Sequence, residues 1–297
     1  MTTPDFLIVG AARSGTTALY YYLKQHQQLF LPEVKEPCFF TFADKKPDFI
    51  QGKFAFTVTD QSAYKALFSK AKANQLKGEV STPYLFLHDI SISNIYKYHH
   101  SPEQIKIIII LRNPIERAFS QYKWKVRDGR ESLSFMDALT IEQDRKRKNY
   151  SFDYFYAERG LYSEQIKHYL GKFKSVQILF YDDFKSNPEN VLASICRFLS
   201  VDDSFNFKKV KDSNASSKPK SVLFSRMVSA ESKLKFKLLK LLPASWRLTL
   251  KEKLIRMNAS DEETEMTSEE RNYLRNYYKE DLIKLQSLLD RQLPDWK

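Results

Sequence analysis

Residues Phe6-Leu-Ile-Val-Gly10 form a short apolar run that stops at a glycine, and Thr16 to Gln25 follows with a helical pattern. A buried strand that feeds a glycine turn and then a helix is the opening unit of an α/β sheet with parallel strands. Ile105 to Leu111 strengthens the reading, because only Lys106 interrupts a run of β-branched residues and leucine. Such runs belong at the centre of a parallel sheet covered on both faces. Gly78 to Ser81 and Val176 to Tyr181 read as further strands, and Pro114 to Val126 and Pro188 to Leu199 as helices that begin on proline. The expected fold is a parallel β-sheet flanked by helices. In such sheets ligands sit beyond the carboxyl ends of the strands, so the informative residues should follow Val9, Ser81 and Leu111.

The pattern changes near Asp212. Asp212 to Lys220 is polar and loop-like, and Lys218 to Arg256 holds eleven Lys/Arg against two Glu. Ser268 to Leu289 then reads as a charged helix. One domain over 1–297 is expected, with an α/β core over 5–220 and a mostly helical C-terminal third over 221–297. The basic stretch divides at Pro243 and reads either as a packing element or as an amphipathic contact with a membrane surface or an acidic acceptor.

The chain's 297 residues carry a net charge of +12, which points to an anionic partner without choosing one. Two cysteines, Cys38 and Cys196, make no disulfide framework and suit a reducing compartment. The run Ile107 to Leu111 is too short to cross a bilayer, and the first strand begins without a basic leader, so a cytoplasmic location is expected.

Gly10-Ala-Ala-Arg13-Ser14-Gly15-Thr16-Thr17 has the glycine spacing of a P-loop. A turn of this kind aims backbone N–H groups and a helix N-terminus at a phosphate. Thr16 stands where the P-loop lysine would be, and Arg13 brings a cation into the loop instead. That exchange suits holding a 5′-phosphate and neutralising charge on a leaving phosphate better than Mg²⁺-ATP chemistry. The plainer reading is a tight turn with Ser14 as a helix cap. After the Ile105–Leu111 strand come Arg112 and, two turns into the next helix, Ser120. An arginine fork and a hydroxyl there can hold a second phosphate.

Together the two motifs resemble those of the sulfotransferases that use 3′-phosphoadenosine 5′-phosphosulfate (PAPS). Arg13, Ser14, Gly15, Thr16 and Thr17 are similar to the 5′-phosphosulfate loop of that family, and Arg112 and Ser120 to its 3′-phosphate motif. Lys35-Glu36-Pro-Cys38-Phe-Phe40, Gly78-Glu79-Val80-Ser81-Thr82-Pro-Tyr84, Arg159-Gly-Leu-Tyr162 and the stretch around Tyr181-Asp-Asp-Phe184 extend the likeness across residues 5 to 220. The branch it resembles best holds the heparan sulfate sulfotransferases and their bacterial relatives.

The resemblance implies a P-loop NTPase-like fold and in-line transfer of a sulfuryl group from PAPS, leaving 3′-phosphoadenosine 5′-phosphate (PAP). The acceptor is a hydroxyl or amine of a small natural product or carbohydrate, not a nucleic acid, and no metal is called for. The histidines are scattered along the sequence. Glu36 is implied as the base, with Arg13 and Lys35 supplying positive charge. His88, which follows the Pro83-Tyr84 string, is a second base candidate. Tyr162, and Ser217 and Lys218 of a basic loop, are implied nucleotide contacts. Val80 departs from the family where relatives often carry lysine, and Cys38 where bacterial relatives often carry histidine. A carbohydrate or glycolipid O-sulfotransferase acting at a membrane surface, a nucleotide kinase and a binding module without turnover stay open as alternatives.

Overall fold

A computed structural model describes residues 3–52, 57–210, 265–290, 292–294 and 296. Five parallel strands form one sheet in the order β2-β3-β1-β4-β5: β1 Phe6–Gly10, β2 Leu29–Phe30, β3 Leu76–Val80, β4 Lys106–Leu111 and β5 Ser175–Phe180. Alternation along β4 shows why the run from Ile107 to Leu111 is apolar. Ile107, Ile109 and Leu111 join one buried cluster, whereas Ile108 and Ile110 join another on the opposite face. Burying both faces leaves no position for a polar side chain. Phe6 fixes the spacing to β3, since a Cβ on Gly78 would fall 2.0 Å from its ring.

Helices α1 (Thr16–Leu23) and α11 (Pro188–Leu199) supply Leu19, Leu23, Leu192 and Ile195 to the second cluster. The other face is covered by α2 (Phe39–Phe42), α5 (His88–Tyr98), α9 (Tyr162–Lys172) and α12 (Ser268–Leu289). Between them run the short helices α3 (Gln61–Ala66), α4 (Pro83–Phe86), α7 (Phe135–Thr140), α8 (Glu142–Arg147) and α10 (Tyr181–Ser186), and the longer α6 (Pro114–Arg127). Asn113 caps α6 through Oδ1, which accepts from the N–H of Ile115 at 2.9 Å, and Pro114 takes the first turn, where no N–H is needed.

The strands expected over 6–9, 78–81, 105–111 and 176–181 are present with ends moved by one or two residues. Two-residue β2 and the short helices lack the repeat that would announce them. A Thr267/Glu270 capping box opens α12. This helix packs Leu274, Tyr278 and Leu285 into the body of the molecule and so closes the core. Ser217, Lys218 and the basic stretch around 233–256 lie outside the described residues. No helix among the described residues is long and apolar enough to cross a membrane.

Candidate active site

The loop after β1 turns sharply into α1. Arg13 (φ 68°) and Gly15 (φ 87°) both take left-handed backbone. The N–H of Ala11 ties the loop to the Ile110 carbonyl of β4 at 2.8 Å. A Cβ on Gly15 would lie 3.0 Å from the Tyr181 ring, so a side chain there is opposed by both conformation and space. Ser14 does not cap α1: the N-cap is Gly15, without a side-chain hydrogen bond. The Ser14 hydroxyl is buried and has no hydrogen-bond partner. A buried hydroxyl without a partner is costly, and here it stands in the tight turn between β1 and α1.

Arg13 Nε donates to Ser120 Oγ at 3.2 Å, joining two motifs separated by 107 positions. Arg112 donates through Nη1 to the Arg13 carbonyl at 3.1 Å and lies 4.8 Å over the Tyr181 ring. Tyr162 donates to the Arg112 carbonyl at 3.0 Å. Arg13, Arg112, Ser120 and Tyr162 thus form one connected group. Burial, then the neighbouring Arg127 and Arg112, lower the Arg13 guanidinium to about 10. A dense positive field inside low-dielectric surroundings attracts a polyanion strongly.

Two neighbours were given no role at the site by the sequence reading. Trp124 lies 5.8 Å from the Arg13 guanidinium, and Tyr181 underlies Arg112. Spacing could have found the first, since Trp124 follows Ser120 by four positions on α6 and shares its face. Only the end of β5 brings the second to the site.

The carboxyl end of β3, next to β1 in the sheet, carries the remaining group. The Glu36 N–H donates to the Val80 carbonyl at 3.0 Å, and Glu36 adopts φ 57°. Lys35 Nζ and Thr82 Oγ1 donate to Glu36 Oε1 at 2.8 and 3.1 Å. The ion pair with Lys35 expected of an ordinary surface glutamate is therefore present, but Thr82 adds a second constraint from another loop. Beneath lies Glu79, fully buried, which accepts from Ser81 at 2.6 Å and from the hydroxyls of Tyr64 and Tyr84. Burial raises its carboxyl, opposed by those three hydroxyls. Ser81 Oγ in turn accepts from the Cys38 N–H at 3.2 Å, so Glu79 anchors the loop that bears Glu36. Val80, the departure in this string, packs into the core. Cys38, the other departure, is held well above the usual thiol range by burial and by the charges of Glu36 and Glu79, so it stays protonated.

A cavity of about 570 Å³ is lined by Phe42, Phe86, His88, Phe152 and Phe155, with Lys45 among its polar residues. Phe42, Phe152 and Phe155 share an apolar cluster with Cys38, whose Sγ lies 3.2 Å from the Glu36 carbonyl. Arg159 stacks on Phe86 and Phe152 and feels the charge of Glu36. His88 begins α5 and meets His168 rather than the arginine group, with ring centroids 4.4 Å apart.

The family model described as "Sulfotransferase domain" matches residues 3–286. This chain belongs to the sulfotransferase domain family. It is 22% identical over 308 residues to the bifunctional heparan sulfate N-deacetylase/N-sulfotransferase 1 of Xenopus tropicalis, covering 99% of this chain and 31% of that protein. The chain thus spans about a third of the length of that relative. A crystal structure of a sulfotransferase from Alicyclobacillus acidocaldarius superposes with a TM-score of 0.74 at 29% identity, covering 100% of this chain and 99% of the other. The sulfotransferase domain from the curacin biosynthetic pathway shares the fold at a TM-score of 0.50 and 15% identity, with 99% and 100% covered. The family uses PAPS, and the connected arginines with the unpartnered Ser14 hydroxyl fit a ligand bearing two phosphates.

Proposed function

We propose that the chain moves a sulfuryl group from PAPS to a hydroxyl or amine of a small natural product or a short carbohydrate. The observation that carries this is the Arg13–Ser120 hydrogen bond, which merges the two phosphate motifs into one cationic group. PAPS, when bound, supplies the activated sulfuryl group. Ser14, Thr16, Thr17 and the N–H groups of the loop hold its 5′ end, and Arg112 and Ser120 hold the 3′-phosphate. Tyr162 keeps Arg112 in place through its carbonyl. Arg13 offsets the charge that grows on the departing nucleotide, the largest electrostatic demand of a loose transition state.

Glu36 takes the acceptor proton. Its fixed backbone and its hydrogen bonds from Lys35 and Thr82 hold the carboxylate in one orientation, as a base needs. The aromatic cavity near Cys38 seats the acceptor body. Its volume lies within the range of about 300–1,000 Å³ typical of small-ligand sites, which supports a compact acceptor over a long polymer.

Calorimetry and melting curves with PAP, followed by labelled PAPS over an acceptor panel, test the reading. PAP at about 100 times its Kd adds about 2.7 kcal/mol to native stability, so melting should rise by several degrees. Arg112→Ala should abolish most of that rise, and Glu36→Gln should keep it while lowering kcat by about 100-fold or more. No stabilisation by PAP, or Mg²⁺-dependent phosphate transfer from ATP, overturns the proposal. Full kcat in Glu36→Gln removes Glu36 as base and moves the assignment to His88.

A further inference from the structure

Histidines far apart in the sequence come together where α5 begins and α9 passes. His88 Nε2 lies 3.6 Å and His168 Nε2 3.7 Å from the same oxygen, Oδ1 of Asp89. One donor atom from each residue lies within 4.8 Å of the other two. Neither imidazole reaches hydrogen-bonding distance of that oxygen. The spacing instead approaches that of ligands around a metal, because bonds of about 2.1 Å in a tetrahedron separate donors by about 3.4 Å.

The outer contacts prepare the same donors. His168 Nδ1–H donates to the Glu164 carbonyl at 2.7 Å, which leaves the lone pair on Nε2. A second hydrogen bond of this kind normally orients a metal-binding histidine. His88 Nδ1 is buried without a hydrogen-bond partner, and Nε2 is the nitrogen that faces Asp89. The Asp89 side chain is 77% exposed and His168 42%, so both can adjust towards that spacing without disturbing the core.

We propose that His88, Asp89 and His168 form a binding site for a divalent transition metal of the zinc class. Two nitrogens and one carboxylate oxygen suit zinc, cobalt or nickel and disfavour magnesium and calcium, which prefer all-oxygen shells. Three protein ligands leave a position for water. With Glu36 as the base, the site takes no part in sulfuryl transfer. It clips the start of α5 to α9, and through His88 it stiffens one wall of the aromatic cavity.

The test uses tag-free, metal-stripped protein and competition with a chromogenic chelator. Zn²⁺ should bind at one equivalent, and Co²⁺ should give visible d–d bands of a four- or five-coordinate centre. His168→Ala and Asp89→Asn should each weaken Zn²⁺ by at least about tenfold while leaving the metal-free melting temperature and PAP binding unchanged. Absence of a one-equivalent site, or equal affinity in both variants and the parent, overturns the proposal. So does Mg²⁺ displacing Zn²⁺ at comparable concentration.

Discussion

Replacing Glu142 with glutamine should change how stability depends on pH. Glu142 sits at the start of α8, almost fully buried, and accepts from the N–H groups of Ala157 and Glu158. Those two residues lead through the turn Glu158–Gly160 into Tyr162, whose hydroxyl holds the Arg112 carbonyl. Burial pushes the carboxyl from 4.5 to about 7, against the opposing effect of the two N–H groups and Arg117. The folded chain therefore keeps a proton over that interval which the unfolded chain has released. Stability from this group is fully present below pH 4.5 and is lost as pH rises to about 7. At about 1.4 kcal/mol per unit, the loss is about 3 kcal/mol. Glutamine cannot titrate, but it offers one acceptor to two N–H groups and so costs about 1–3 kcal/mol at low pH. Urea denaturation of both proteins at intervals between about pH 5 and 8 isolates the effect, because all other titrating groups cancel in the difference. The gap should move by about 3 kcal/mol in favour of the variant as pH rises. Curves that stay parallel within about 0.5 kcal/mol would refute the argument.

Two further substitutions separate binding from positioning. Ser14→Ala removes a buried hydroxyl that has no partner in the protein, so stability without ligand should hold or rise by up to about 1 kcal/mol, while PAP affinity measured by calorimetry falls about tenfold. An equal affinity in the variant would take Ser14 out of the phosphate loop. Thr82→Val removes the hydrogen bond that reaches Glu36 from the β3 end and should lower kcat several-fold with PAPS KM unchanged; a change confined to KM would show that Thr82 serves binding instead.

The strands and the loop that follows β1 were readable because their information is local. A run buried on both faces must be apolar, and a turn with φ 87° selects glycine at Gly15. Arg13 and Arg112 likewise stood at strand ends, where a parallel sheet presents its ligands. Contacts made by α3, α4 and α8 carried no such local mark. Glu79 appeared as one letter in a string, and only the meeting of Tyr64, Ser81 and Tyr84 around it shows a buried anchor beneath Glu36.

By itself the sequence determined the parallel sheet, the glycine-spaced loop without a P-loop lysine, and the family to which both belong, since each rests on short strings of neighbouring residues. Tertiary structure decided which distant groups share a site. The Arg13–Ser120 bond spans 107 positions, and the pairing of Tyr181 with Arg112 needs β4 and β5 side by side. The approach of His88 to His168 needs α5 packed on α9. Chain order constrains such contacts only through the packing of the sheet and its helices, so they become legible once that packing is known.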